Sequence, residues 1–237
     1  MKASPKEKEY KEIIKRLQEL EERNGVYDIM TIFQDFILMI TIAIKNTYDY
    51  NEEDQEKYIE IAKKYKEEEI MEFDKLLVLL TKIYTEQKEI HDVLGQIYKD
   101  LKLENKINNN FFLPLGVANV LSGVTIDNEI DKIQENLKKK DFISIYNSNC
   151  NSGTVILNFI ERTKLKIENY LEKIVFTAED TDINCICMTF IQLTMNKIPA
   201  QIVLKKRVSK EIIKILYTPE FVKGNWLEKL KNMEKER

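Results

Sequence analysis

Along the first hundred residues apolar side chains recur every three or four positions, with polar residues filling the opposite face, which is the period of amphipathic helices. Lys6 to Glu22 sets Ile13, Ile14, Leu17 and Leu20 on one stripe, and Asn24-Gly25 supplies a C-terminal stop. Tyr27 to Lys45 is apolar almost all round, which predicts the central helix of a bundle. Glu52 to Glu69 is charged with sparse apolar positions, and Phe73 to Glu86 and His91 to Leu103 are amphipathic again. The polar, asparagine-rich stretch Glu104 to Asn110 ends this pattern. It divides the chain into a helical N-terminal domain, 1–105, and a second domain, 106–237.

In the second domain short β-branched runs alternate with helical segments, the sequence form of βαβ units around a parallel sheet. Strands are predicted at Phe142 to Tyr146, Ile174 to Ala178 and Ala200 to Leu204, with helices from about Thr154 to Glu172 and at Ile183 to Asn196. Three strands make half of a doubly wound sheet. The fold class is therefore α/β: a helical domain followed by a partial Rossmann-like domain.

Composition narrows the chemistry. The 237 residues include three cysteines, Cys150, Cys185 and Cys187, at no zinc spacing, and one histidine, His91. A structural metal site, a Ser-His-Asp arrangement and a Cys-His pair are therefore not expected. Cys185 and Cys187 point to different helical faces and read as buried positions, and His91 as a helix-surface residue. Met1 to Arg23 is charged throughout, unlike a secretion signal. The apolar run Ile29 to Ile44 is shorter than the roughly 20 residues that span a bilayer, and it contains Gln34 and Asp35. These features predict a cytoplasmic protein with no membrane anchor. Net charge is −3, yet Lys197 to Arg237 holds 11 Lys or Arg against 5 Asp or Glu. This basic C-terminal segment can lean on a phosphate backbone or form a solvated lysine-rich surface. Trp226 within it reads as an anchor on the fold or as a platform for a base.

Four segments, in order, carry a family resemblance: Asp92-Val-Leu-Gly-Gln-Ile-Tyr98, Asn110-Phe-Phe-Leu-Pro114, Tyr146 to Gly153, and Ala178-Glu-Asp-Thr-Asp182 with Met188, Gln192, Leu193 and Ile198-Pro-Ala200. Together they make the chain, from about Asp28 to Trp226, resemble the N6-adenine DNA methyltransferase family, especially short members carried by phages and mobile elements. The second segment is similar to a Gln-Phe-Phe-Thr-Pro element and the third to Asp-Pro-Ala-Cys-Gly-Ser-Gly. The resemblance implies a Rossmann-like, S-adenosylmethionine-dependent methyltransferase domain. By the same resemblance the cofactor would meet Phe112, Pro114, Asn147, Asn151, Gly153 and Asp180, with Asp180 accepting the ribose hydroxyls.

The departures from the family pattern are chemical. Asn147 and Ser148 replace the Asp-Pro, and Asn151 the first paired glycine, which puts a side chain where the ligand would lie. Leu113 replaces a threonine and cannot hydrogen-bond the cofactor, leaving Phe111, Phe112 and Pro114 as packing residues. Asp180 can equally be a solvated turn residue beside Asp182, which is placed to cap the following helix. No Asn-Pro-Pro-Tyr or Asp-Pro-Pro-Tyr exists to hold an extruded adenine, so no catalytic residue is assigned. Tyr217-Thr218-Pro219 is a remote imitation, and short mobile-element relatives tend to end near a similar Tyr-Thr-Pro. The resemblance thus implies a degenerate, non-catalytic protein that holds S-adenosylmethionine weakly or not at all. It would bind nucleic acid or a protein partner, for example as an anti-defence inhibitor of a host nuclease. The alternative is an active DNA adenine methyltransferase that requires a partner subunit.

Overall fold

The computed structural model describes residues 5–103 and 129–235. They form a mixed α/β protein whose described residues fall into two compact units, 5–88 with 96–103, and 89–95 with 129–235. The expected domain boundary near 105, and with it Phe111, Phe112, Leu113 and Pro114, lies outside the described residues.

The first unit is helical: α1 (Pro5–Asn24), α2 (Ile29–Asn46), α3 (Glu52–Ala62), α4 (Glu67–Glu86) and the later part of α5 (Val93–Asp100). Ile13, Leu17 and Leu20 of α1 are buried at the predicted spacing, while Ile14 is only half-buried. Gly25 ends α1 with φ +64 and donates its N–H to Glu21 O, the left-handed stop expected of Asn24-Gly25. In length and composition α2 could cross a membrane, yet it is the core helix of this unit, with Phe33, Phe36, Ile32 and Ile37 buried. Each such side chain contributes roughly 1.5–3 kcal/mol by leaving water. The two buried charges on α2 are paired: Asp35 accepts from Tyr65 Oη (2.8 Å) and Lys64 Nζ (3.0 Å), and Lys45 meets Asp54 at 3.1 Å.

The charged segment from Glu52 divides at Lys63–Lys66, and its second part belongs to α4. The reason is local, because the Glu69 carboxylate reaches back to accept the Lys66 N–H at 2.8 Å while the Glu69 N–H donates to the Lys66 backbone carbonyl at 3.0 Å, so α4 starts afresh at Glu67. Glu72 on α4 reaches α1 through Arg16 (2.9 Å) and also takes Lys75 (2.7 Å). The Lys75 bond, with Arg16, holds the Glu72 carboxyl below its ordinary value of 4.5. Glu72→Gln should therefore cost about 1 kcal/mol at neutral pH. The difference should be present above 4.5 and fade as pH falls through the lowered value, as read by denaturant unfolding at several pH values.

The second unit is built on a sheet of order β1-β2-β3-β4, from β1 (Ile143–Asn147), β2 (Ile174–Asp180), β3 (Ala200–Lys205) and β4 (Ile212–Tyr217). β1, β2 and β3 are parallel and β4 is antiparallel to β3. The helices of this unit are α6 (129–139), α7 (Thr154–Thr163), α8 (Tyr170–Lys173), α9 (Ile183–Met195), α10 (Pro219–Lys223) and α11 (Trp226–Lys235). The single helix expected from Thr154 to Glu172 is two, α7 and α8, with Asn169 at φ +54 capping the second.

Alternation along β2 gives the sheet two different faces. Phe176, Ala178 and Asp180 are buried on one, where Phe176 packs edge-on against Phe159 of α7. Val175 lies on the other, in a cluster with Phe221 of α10 and Trp226 of α11, flanked by Phe142, Tyr217 and Leu230. Trp226 is thus an anchor on the fold. Its ring meets Phe142 edge-on at 5.1 Å.

Candidate functional site

The turn between β1 and α7 is where the sequence resemblance put a cofactor loop, and the structure places it at the carboxyl ends of the parallel strands. Asn147 closes β1, and its side-chain oxygen accepts the Asn149 N–H at 3.1 Å. Asn151 adopts φ +49 and Gly153 φ +95, so the tight left-handed turn is made by one asparagine and one glycine. Asparagine reaches this region more readily than most residues, which is how the turn forms with a single glycine. At Gly153 an added Cβ would sit 3.4 Å from Thr189 Oγ1, in ordinary contact, so the positive φ is what requires glycine there.

The loop is tied down on both sides by the protein itself. On the sheet side, Cys150 N–H donates to Glu179 O (2.8 Å) and Asn151 N–H to Asp180 Oδ2 (2.9 Å). The second carboxylate oxygen of Asp180 accepts the N–H groups of Thr181 (2.7 Å) and Asp182 (3.1 Å). Asp180 is 5% exposed, so it is not a solvated turn residue; its carboxylate clamps the loop onto the end of β2. Burial raises its carboxyl above the ordinary 3.8, against the three backbone bonds that favour the ion. Asp182 caps α9 through the Asn184 N–H at 2.8 Å, as its position predicted.

On the helix side stands a buried polar cluster. Asp92, at the start of α5, accepts the Gly95 N–H on Oδ1 at 2.8 Å, a side-chain cap. The same carboxylate receives the hydroxyls of Ser152 (2.5 Å) and Thr154 at the head of α7, and Gln192 Nε2 of α9 at 2.8 Å. Gln192 also donates to Ser152 O (2.6 Å), while its carbonyl accepts the Leu94 N–H (3.2 Å). Thr189 Oγ1 completes the set by donating to Asn151 O at 2.9 Å. Asp92, Ser152 and Gln192 belong to three separate segments of the family resemblance, and they meet here in one hydrogen-bonded cluster.

Gly95 is part of that fit, since a Cβ on it would lie against the Asp92 carboxylate and 2.5 Å from Ser152 Oγ. Gly95→Ala should cost about 1–2 kcal/mol despite alanine's higher helix propensity. Denaturant unfolding followed by Trp226 fluorescence checks it, because this tryptophan is unique in the chain and lies in the same unit.

The cysteines are inert by position. Cys150, Cys185 and Cys187 are all buried, and burial pushes the Cys150 and Cys185 thiols well up from their ordinary range. His91 precedes α5, its Nδ1 2.9 Å from Glu89 O. Among the described residues no group of three His, Cys, Asp or Glu is arranged to hold a metal ion.

A further titratable chain crosses the other face of the sheet. Tyr146 Oη donates to Glu179 Oε2 (2.5 Å), and Lys205 Nζ meets Glu179 Oε1 (2.6 Å), so one carboxylate links the ends of β1, β2 and β3. The hydrogen bond to Glu179 raises the Tyr146 hydroxyl above its ordinary pKa of 10.0. Sequence reasoning singled out neither Glu179 nor Lys205. Their signal was the alternation along β2, which puts Glu179 opposite to Asp180. No family model, no curated protein and no solved structure matches this chain.

Proposed function

We propose that this chain is a methyltransferase-like protein without transfer activity, one that acts by binding a nucleic acid or a protein partner in the cytoplasm. The observation that carries the reading is the occupancy of Asp180, whose two oxygens already accept three backbone N–H groups, including that of Asn151 in the loop. A carboxylate that is to take paired ribose hydroxyls must offer acceptor capacity to solvent, and this one is buried, with three of its roughly four acceptor sites taken by its own chain. The resemblance to N6-adenine methyltransferases supplies the Rossmann-like reading of the half sheet. The missing proline-tyrosine tetrapeptide supplies the loss of transfer. A host nuclease is one protein partner that would fit a gene carried by a phage.

Calorimetric titration of the purified chain with S-adenosylmethionine and S-adenosylhomocysteine tests this reading. We expect no saturable heat and no thermal shift from a protein that is folded by circular dichroism. Micromolar binding would overturn the proposal. It would favour the second reading, an active S-adenosylmethionine-dependent DNA adenine methyltransferase completed by another subunit. That reading draws support from the preserved turn, with Asn151 and Gly153 both at positive φ between strand and helix. It requires label transfer from cofactor to DNA in the presence of the partner.

A further inference from the structure

A carboxamide buried in a helix without a partner costs free energy that an apolar residue of the same size would not, and Asn158 of α7 is such a residue. It is 8% exposed, and its Nδ2 has no hydrogen-bond partner among the described residues. Asparagine is also a poor helix former, so neither packing nor propensity accounts for it. What it does is line a cavity of about 500 Å³, between α7 and the segment that leads into α5, inside the second unit. Asn158, Glu161 and Arg162 share one face of α7 by their spacing, and Leu165 stands just beyond the helix, 83% exposed. Glu89, Ile90 and His91 form the other wall.

The polar capacity left open on these walls is capacity to accept. Glu161 takes the Ile90 N–H and Lys164 Nζ, each at 2.6 Å and both on Oε2, so Oε1 is the oxygen left over. Glu89 O can only accept, so His91 Nδ1, 2.9 Å away, carries the proton of the neutral ring and Nε2 is an acceptor. The Asn158 amide adds a carbonyl. The nearby donors Arg162 and Lys164 already have partners. Two carboxylates, Glu89 and Glu161, stand against one guanidinium on the cavity wall, and Ile90 and Leu165 add apolar surface.

We propose that this cavity binds an aliphatic ammonium group, that of a free amine or of a lysine side chain. An ammonium is all donor and no acceptor, which matches the Glu161, His91 and Asn158 acceptors, whereas a carboxylate or phosphate would meet acceptors with acceptors. Its apolar stem would lie along Ile90 and Leu165. A metal ion fits less well, because among the described residues no three His, Cys, Asp or Glu are arranged to hold one. The inference goes beyond the methyltransferase-like reading and does not depend on the state of the Asp180 loop.

His91 is the single histidine of the chain, so its ring protons in ¹H NMR report on the cavity directly. Titration of the full chain with n-butylammonium chloride, at constant pH and ionic strength, should shift them saturably at roughly millimolar concentration, as suits so small a ligand. The neutral isostere n-butanol should not shift them. Glu161→Gln keeps an acceptor for the Ile90 N–H and should weaken the amine roughly tenfold. Asn158→Leu should weaken it roughly fivefold while leaving the Trp226 unfolding midpoint at or above that of wild type, since it removes an unpaired amide. Nα-acetyl-lysine methylamide separates the two sources: tighter binding than n-butylammonium supports the lysine side chain of a partner, and weaker binding supports a free amine.

The proposal is overturned if n-butylammonium gives no saturable shift, or if n-butanol shifts the ring as much. It is equally overturned if folded Glu161→Gln and Asn158→Leu both bind the amine as wild type does.

Discussion

Asp92→Ala should destabilise the α/β unit by about 3–4 kcal/mol, because one carboxylate there satisfies four donors, one each from α5, α7 and α9 and one from the turn at Ser152. Removing it strips the cap from α5, an effect of about 1 kcal/mol alone. It also leaves the hydroxyls of Ser152 and Thr154 facing an apolar side chain. These two can partly rescue each other, since their oxygens are 3.0 Å apart, and Gln192 Nε2 keeps its bond to Ser152 O. That residual bonding is why the cost falls below a sum of four charge-assisted bonds. Asp92→Asn keeps a carbonyl acceptor for the Gly95 N–H and should cost only about 1 kcal/mol, provided the hydroxyls rotate to accept from the new amide. Denaturant unfolding monitored by Trp226 separates the two substitutions. Equal, small effects would mean that the cluster is decoration and that the loop is held by the sheet side alone.

The helical half was legible because its signal is periodic. Leu17, Leu20, Phe33 and Leu80 are buried where a 3.6-residue repeat puts them. The strand β4 was not, although Ile212 to Tyr217 is β-branched and ends at Thr218-Pro219. A hairpin is recognised by its turn, and this one is built without Gly, Asn or Asp: Lys210 takes the left-handed conformation at φ +58. In a chain with six glycines, lysine and asparagine make turns that a sequence reader assigns to glycine. The same economy hid the break after Thr163, where Asn169 turns the chain.

At the site, the residues could be read but their partners could not. Asp92, Ser152 and Gln192 stood in the resembling segments, yet nothing in a single sequence says that positions 60 and 100 residues away from Asp92 share its carboxylate. Thr189 was not singled out at all, since a threonine in an apolar helix reads as core. Asp180 was assigned by position to ribose or to solvent. The three amides that bond its oxygens come from loop conformation, to which side-chain patterning is blind.

Asp180→Ala is the substitution that separates structure from cofactor binding, and it should cost about 2–3 kcal/mol at neutral pH. Three buried N–H groups lose their acceptor, which alone would cost more, but the variant is also relieved of a carboxylate that burial disfavours in its charged form. The sign of the pH dependence follows from that raised pKa. The native state holds the proton more tightly than the unfolded chain, so the stability from this group is full below 3.8 and declines as pH rises through the folded value. The alanine variant has no such group, so its deficit against wild type should shrink as pH rises across that window, opposite to the Glu72→Gln deficit. A deficit that instead grows with pH would mean that Asp180 is stabilised as an ion and is available to a ligand. A loss of label transfer in Asp180→Ala therefore reports a ribose contact only if the Trp226 transition is unchanged. If the transition shifts by the expected amount, the carboxylate is a structural clamp on the Asn147–Gly153 turn, and the lost transfer is no evidence of a ribose contact.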